Sequence, residues 1–214
     1  MDVKNMGQSK PKILVLFHSM YGHIYKMAEA VTEGVKEVGG EATLKQVAEL
    51  VPEEFWNEDT KKAKELMKDI PVADPRKDLI GIDGLIVGTP TRFGNMCAQM
   101  RNFWDQTGGA WMNGALVGKP AAVLTSSNTQ HGGQETTIIS THFTLLHHGC
   151  VVVGLPYSFK EQMTMEEITG GSPYGASTIA GSGPPYERMP STNELKMAKD
   201  LGKHLTAIAK KLSS

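Results

Sequence analysis

The feature that most constrains the fold is a short apolar run that passes through a glycine-containing loop directly into an amphipathic helix. Ile13 to Phe17 is too short for a helix and follows Pro11, which is typical of a buried parallel strand. Apolar residues then recur at helical spacing from Ile24 to Val38, and Gly39-Gly40 stops the pattern as a glycine cap. The chain therefore begins as the strand–loop–helix unit of an α/β protein.

The rest of the chain continues this alternation. Further strands are predicted at Glu41 to Val47, Ile82 to Val87, Ala121 to Thr125 and Cys150 to Val153. Further helices are predicted at Lys61 to Asp69, at Asn95 to Asp105 with Asn95 as N-cap, at Gln134 to His147, and from the capping box Ser191–Glu194 to Leu212. Strands that alternate with helices predict an α/β fold with a doubly wound parallel sheet and helices on both faces.

The length of 214 residues suits one domain. We predict that residues 1–11 are a flexible tail and that residues 12–214 form a single domain. Within it, the charged segment 52–78 is predicted to be a solvated insertion, Gly108 to Gly118 a glycine-rich loop, and residues 155–190 a long loop with little periodicity.

Composition narrows the class of protein. A net charge of −1 with 21% charged residues is ordinary for a globular protein and lacks the basic excess of a nucleic-acid binder. The two cysteines, Cys97 and Cys150, show neither CxxC spacing nor a disulfide framework, which favours buried thiols in a reducing cytoplasm. No apolar run approaches the ~18 residues that span a bilayer, so we expect no membrane span.

The loop after the first strand is the best candidate for an anion site. Ser19 to Ile24 opens directly into a helix, whose unpaired N–H groups and positive dipole end favour a phosphate. Gly22 permits close approach of the backbone, Ser19 can donate its hydroxyl, and Tyr21 offers a flat face to a ring. The alternative interpretation is an ordinary strand–helix turn.

Two later loops lie at the carboxyl ends of neighbouring strands, where doubly wound sheets bind ligands. In the stretch Gly88 to Asn95, Arg92 would stabilise a negatively charged reduced flavin and Phe93 could border its ring. The stretch Ser126 to Gly133 supplies hydroxyl and amide donors for a heterocycle edge or a phosphate. Alternatively, Arg92 is a solvated surface charge and the second stretch is a surface turn.

Other site chemistries are poorly supported. The sequence has no GxGxxG after a strand, no GxxxxGK[ST], no GxSxG and no HExxH. His147 and His148 are adjacent and point to different sides of a helix end, so a shared metal is not expected.

The located loops resemble a known family. The matching stretches are Ser19–Ile24, Gly88–Asn95, Asp105-Gln106-Thr107-Gly108-Gly109, His147-His148-Gly149 and Gly170–Gly175. Together they resemble the flavodoxin-like NAD(P)H:quinone oxidoreductases historically named tryptophan-repressor-binding proteins (WrbA). The resemblance runs from about Lys12 to the C-terminal helix. It implies a flavodoxin-like five-stranded sheet in the order 2-1-3-4-5 and a homotetramer, with a dimer as the alternative.

The resemblance also implies a set of binding residues for flavin mononucleotide (FMN). Its contacts would be Ser19, Met20, Tyr21, Gly22, His23 and Ile24 for the phosphate, Thr91, Arg92 and Phe93 for the isoalloxazine ring, Ser126, Ser127, Asn128, Thr129, Gln130, His131 and Gly132 for phosphate and ring edge, and His147. Tyr21 would contact the nicotinamide nucleotide, and Trp111 the quinone. A neighbouring subunit would complete the pocket above the flavin.

The implied activity is an FMN-dependent two-electron reduction of quinones by NADH or NADPH. The two substrates would bind in turn at one place, which predicts ping-pong kinetics. No side chain need act as a nucleophile, and His147 and Tyr21 are the candidate proton donors. Two alternatives remain: a one-electron flavodoxin, disfavoured by the near-neutral charge, and a non-catalytic interaction protein, for which no recognition helix is evident. The preferred quinone and nicotinamide stay open.

Overall fold

The computed structural model describes residues 10–181 and 188–213. The strands are β1 (Lys12–Phe17), β2 (Glu41–Gln46), β3 (Gly84–Pro90), β4 (Pro120–Ser127), β5 (Val151–Val152) and β6 (Ala176–Ile179). The helices are α1 (His23–Glu37), α2 (Glu58–Leu66), α3 (Ala98–Asp105), α4 (Gly108–Met112), α5 (Gln134–His147) and α6 (Thr192–Leu212). Most of the predicted tail 1–11, and residues 182–187 of the predicted long loop, lie outside the described residues.

The sheet is parallel and has the order β2-β1-β3-β4-β5, as predicted. The fifth position is shared, because β5 pairs with Pro120 and Ala121 whereas β6 pairs with Leu124 to Ser127 farther along β4. The prediction of a loop without regular structure over residues 155–190 was therefore wrong at β6 and at a short 3-10 turn, Lys160–Met163. The strand β5 covers only the start of β4, and β6 pairs the backbone groups that would otherwise be buried without partners.

Helices cover both faces of the sheet, which explains the continuous apolar runs of its central strands. Along β1, Ile13, Val15 and Phe17 belong to an apolar cluster that includes the buried faces of α1 and α6. Leu14 and Leu16 point the other way, into a second cluster with side chains of α3 and α5. Alternate burial on two faces fixes the register of β1 and hence the position of the loop that follows it.

Two local predictions were wrong around α3 and α4. Asn95 is not an N-cap: it exchanges backbone hydrogen bonds with Arg92 in a tight turn, and α3 starts only at Ala98. There the Cys97 N–H is satisfied by Thr89 Oγ1 at 3.1 Å. The predicted glycine-rich loop contains α4, so Trp111 lies on a short helix rather than on a loop tip.

The charged segment 52–78 is more deeply packed than predicted. Its helix α2 begins after Asn57, whose side chain accepts the Thr60 N–H at 2.8 Å. Met67 is fully buried in the cluster that packs against α1 and α6, and Ala73 is buried in the cluster on the other face of the sheet. The segment thus contributes buried residues to both clusters, while most of its side chains are exposed.

Other elements agree with the sequence. The helix α5 has the predicted bounds, and α6 begins with the predicted reciprocal capping box of Ser191 and Glu194. Over residues 10–181 and 188–213, no helix has the length and apolar character needed to cross a membrane.

Candidate functional site

Three loops meet at the carboxyl ends of β1, β3 and β4 and form one cleft. The residues that line it are Ser19, Met20, Tyr21, His23, Ile24, Pro90, Thr91, Arg92, Ser126, Ser127, Asn128 and Ala180. All but Pro90 and Ala180 were predicted as site residues. The cleft thus brings together the predicted first loop and parts of the two later ones.

The first loop is shaped to receive an anion. Gly22 adopts a left-handed conformation with φ 92° immediately before α1, and its N–H donates to Ser19 Oγ at 3.1 Å. The first turn of α1 contains no acidic residue, so no carboxylate of that turn opposes an anion at the positive end of this helix. The helix α5, in contrast, carries Glu135 in its first turn, which favours α1 as the phosphate site.

The second loop is a rigid turn. Thr91 Oγ1 accepts hydrogen bonds from Thr137 Oγ1 at 2.7 Å and from the Gly94 N–H at 3.2 Å. Phe93 has a positive φ of 53° and a fully exposed ring. A bulky residue in this region carries backbone strain of about 1–3 kcal/mol, which is typical of ligand-binding positions. Arg92 is exposed beside the cleft and donates to the Thr91 carbonyl at 2.8 Å.

The third loop starts later than the sequence suggested, because Ser126 and Ser127 are still part of β4. Ser127 Oγ donates to the Thr129 carbonyl at 2.7 Å and accepts from Gln134 Nε2 at 2.9 Å. Gly132 closes the turn by donating to Thr129 at 3.3 Å. The remaining predicted residues, Gln130 and His131, line a neighbouring cavity of about 220 Å³ rather than the cleft itself.

His147 and Trp111 do not reach this cleft. His147 ends α5, whose 14 residues extend about 20 Å from the third loop at 1.5 Å per residue. Trp111 Nε1 donates to the His147 carbonyl at 2.9 Å, and both residues line a separate surface cavity beside Phe143. Within one chain, the predicted quinone contact and the predicted flavin contact are therefore apart from the phosphate loop.

Two buried histidines belong to this region: His18 directly precedes the first loop, and His23 is part of it. Burial, reinforced by the nearby Lys64 charge, lowers the pKa of His18 to about 4 despite the opposing attraction of Glu49. Burial also lowers the pKa of His23, whose Nε2 lies 2.9 Å from the Arg188 carbonyl. Both rings are neutral near pH 7, so neither supplies a fixed positive charge to the cleft.

Sequence reasoning missed Pro90 and Ala180 as lining residues. Pro90 lies inside the predicted second loop but offers no side-chain donor, so chemistry alone did not single it out. Ala180 follows β6, and its N–H donates to the Ser127 carbonyl at 2.8 Å. It would have been found by the rule that ligands lie at the carboxyl ends of strands, had β6 been recognised.

These residues fit FMN. The left-handed glycine and the start of α1 can hold one phosphate, and the exposed Arg92 can face a reduced flavin that carries negative charge. Tyr21 lines the cleft, whereas Phe93, next to Arg92 in the second loop, is fully exposed and is not among the lining residues. In the described part of the chain, no three His, Cys, Asp or Glu side chains are grouped so that they could hold a metal ion.

Comparisons with known proteins agree with this geometry. Residues 11–163 match the family NADPH-dependent FMN reductase. Over 203 residues the chain is 58% identical to an NAD(P)H dehydrogenase (quinone) of Aromatoleum aromaticum, covering 94% of this chain and 97% of that protein. A relative of the same name from Methanosarcina barkeri is 55% identical over 206 residues, covering 94% and 98%.

Solved structures agree as well. A WrbA-like flavodoxin from Agrobacterium tumefaciens has a TM-score of 0.64 at 25% identity and covers 94% of this chain and 99% of its own. Oxidised flavodoxin 1 from Bacillus cereus has a TM-score of 0.57 at 18% identity, covering 92% and 97%, and supports the fold alone.

The sheet order and the mononucleotide cleft define the class as a flavodoxin-fold flavoprotein. More particularly, the chain belongs to the NADPH-dependent FMN reductase family and is an FMN-dependent oxidoreductase. The resemblance to the tryptophan-repressor-binding proteins, drawn from the loop motifs, is confirmed.

Proposed function

We propose that this protein is an FMN-dependent NAD(P)H:quinone oxidoreductase that reduces quinones to hydroquinones by two electrons. The observation that carries the proposal is the single cleft in which the phosphate loop, the Arg92 turn and the end of β4 meet. The relatives described above bear the name of this activity over nearly their whole length, which supports the same substrates here.

The protein's own groups bind and orient the reactants. FMN supplies the hydride chemistry, because it can accept two electrons from a nicotinamide and give two to a quinone. Ser19 and the start of α1 would hold the phosphate, and Arg92 would stabilise negative charge near the ring. Phe93 and Tyr21 provide flat surfaces that exclude water and orient a stacked substrate.

A second copy of the chain would supply the remaining wall of the site. Trp111 and His147 line a cavity separate from the cleft, and His147 lies about 20 Å along α5 from the third loop, so they would act on the flavin of another chain. They are surrounded by exposed apolar side chains, namely Met112, Phe143 and Leu146. Such a patch is typical of a protein interface, and we propose a homotetramer, with a dimer as the alternative, in which this surface faces a neighbour's cleft.

Protons for the hydroquinone would come from groups at the edge of the cleft. Tyr21 belongs to the cleft itself, whereas His147 would approach from the neighbouring copy. Neither has to act as a nucleophile, because the electrons arrive as a hydride equivalent.

We also propose that residues 12–214 form one domain of a cytoplasmic protein. Both apolar clusters share the same sheet, which supports a single folding unit. Cys97 and Cys150 are unpaired and buried, which suits a reducing compartment.

The test begins with purified protein and added FMN. We expect a bound-flavin spectrum, bleaching of that spectrum by NADH or NADPH without quinone, and its return when benzoquinone is added. Initial rates at several quinone concentrations should give parallel double-reciprocal lines. Intersecting lines with no bleaching by the nicotinamide alone would overturn the ping-pong scheme. Absence of flavin binding would overturn the proposal as a whole.

A further inference from the structure

The charged segment 52–78 matched no motif, yet its helix α2 lies directly against the phosphate loop. Lys64 on α2 donates from Nζ to the Ser19 carbonyl at 3.2 Å. The same Nζ lies 2.6 Å from Glu49 Oε2, and the side chain is only 13% exposed. Lys64 is thus hydrogen-bonded to the backbone of Ser19, the residue whose hydroxyl oxygen accepts the Gly22 N–H.

Glu49 holds this lysine in a fixed position. Its Oε1 accepts Gln99 Nε2 at 2.6 Å and the backbone N–H groups of Leu50 and Val51 at 2.9 and 3.0 Å. Burial alone would raise the pKa of Glu49, but the hydrogen bonds from Lys64, Val51 and Gln99 outweigh it and lower the pKa to about 2. The carboxylate is therefore charged and anchored between the chain after β2 and helix α3.

Lys61, another lysine of α2, is more exposed than Lys64 and has a different kind of partner. Lys61 is half exposed and pairs only with the exposed Glu58, one turn earlier on the same helix, at 3.1 Å. Lys64 alone among these contacts the phosphate loop, and its ion pair crosses between separate elements of the fold. The difference in burial and partners makes Lys61 a matched control for Lys64.

We propose that Lys64 is a positioning residue for the FMN phosphate: with Glu49 as its anchor, it holds the Ser19 carbonyl so that the phosphate loop keeps its binding conformation. The proposal rests on the FMN site described above. It gives the segment 52–78 a role in cofactor binding, without direct contact with the flavin ring.

The geometry favours positioning over simple attraction of the phosphate. The Lys64 ammonium is paired with a charged carboxylate at 2.6 Å, so the two charges nearly cancel at a distance. What remains is a charge-assisted hydrogen bond to Ser19, which fixes a loop that would otherwise sample other conformations. Pre-formed loops bind more tightly because less conformational entropy is lost on binding.

The first measurement compares FMN with riboflavin, which has the same ring but no phosphate, by fluorescence titration of the apoprotein. We expect Lys64→Met to raise the Kd for FMN about tenfold, the usual scale for losing a hydrogen bond from a charged group. The Kd for riboflavin should change less than twofold. Lys61→Met should leave both values unchanged. Equal weakening for both ligands, or no weakening for FMN, would overturn the proposal.

A second variant separates positioning from charge by the sign of its effect. In Glu49→Gln the negative charge is lost, so a role for Lys64 as a simple attractor predicts tighter FMN binding. Positioning predicts weaker binding, because the amide N–H₂ faces the ammonium and displaces it from Ser19. Glu58→Gln, at the exposed pair, should have no effect. Tighter binding of FMN to Glu49→Gln would therefore contradict the proposal.

Folding defects are detected separately by thermal unfolding of each apoprotein followed by circular dichroism. Titrations are made at a temperature where every variant is more than 95% folded. The variant Lys64→Arg is titrated as well, because it keeps the charge and should recover at least part of the FMN affinity. If the unaltered protein bound no FMN, the proposed function would fail. If it bound FMN and Lys64→Met bound it equally well, only the role of Lys64 would fail.

Discussion

The Trp111 indole N–H donates to the His147 carbonyl at 2.9 Å and ties α4 to the end of α5. This contact fixes both residues on a surface about 20 Å along α5 from the third loop of the cleft. The same surface exposes Phe143, whose ring is 60% accessible. A single chain thus carries two halves of the proposed site on different faces.

Charge placed on this surface should separate the copies. Phe143→Asp is tolerated in one chain because the side chain is exposed, but it would bury a carboxylate in an interface, which costs several kcal/mol. We expect a smaller mass in sedimentation velocity and quinone reduction at least tenfold slower. FMN should still bind through the phosphate loop, but more weakly, because the contact from the neighbour's His147 is lost. The control is Glu135→Gln, exposed at the opposite end of α5. An unchanged mass with full activity would contradict the proposed assembly.

The conformation of Gly22 gives a second prediction. Its φ of 92° costs an L-residue about 1–2 kcal/mol, whereas a Cβ would find room, the nearest atom being Met189 Cε at 3.6 Å. Gly22→Ala should therefore lower the free energy of unfolding by about that amount and also weaken FMN binding, because relaxation of φ moves the N–H off Ser19.

Gly81 provides the matched control. It has a φ of 76° with nothing within 4 Å of a Cβ, and it precedes β3 at the other end of that strand. Gly81→Ala should lose similar stability in denaturant unfolding but keep the wild-type Kd for FMN. Equal effects of both variants on FMN affinity would show that Gly22 has no special role in the cleft.

Arg92 should tune the flavin's reduction potential. As a cation beside the cleft it favours the reduced, negatively charged state, so Arg92→Met should lower the two-electron midpoint potential by roughly 30 mV, equivalent to about 1.4 kcal/mol. Arg92→Lys should keep most of the potential because it keeps the charge. Spectroelectrochemical titration measures both. An unchanged midpoint potential in Arg92→Met would show that the Arg92 charge faces solvent and does not act on the flavin.

His18 makes stability depend on pH. Burial, assisted by Lys64, lowers its pKa from 6.5 to about 4, so between these pH values the unfolded chain binds the proton and the native protein does not. Stability due to His18 is therefore complete above pH 6.5 and is lost as the pH falls toward 4, by up to roughly 3 kcal/mol.

The measurement is urea unfolding of the wild type and His18→Gln at several pH values from 7 to 4. Other histidines, such as the partly buried His142, also have a pKa lowered by burial and contribute to the slope of both proteins. The difference between the two curves isolates His18. Parallel curves over this range would show that His18 protonates as readily in the native state as in the unfolded one.

The elements that the sequence predicted well are those whose own residues decide them. The helix α5 was predicted with its exact bounds, and the Ser191–Glu194 capping box marked the start of α6, because periodicity and capping are local properties. The errors fell where a tight turn or a distant strand decides. Asn95 looks like an N-cap, but its backbone pairs with Arg92, and β6 forms because the edge of β4 is left open beyond β5.

The candidate site divides in the same way. The order of strands and loops determined that Ser19, Arg92 and Ser126 would meet, since parallel strands deliver their following loops to one edge of the sheet. Only the tertiary structure decided that Lys64 donates a hydrogen bond to the phosphate loop and that His147 lies away from that loop. A sequence encodes periodic burial and turns over a few residues, whereas contacts across 45 residues, such as Ser19 with Lys64, depend on how the finished elements pack.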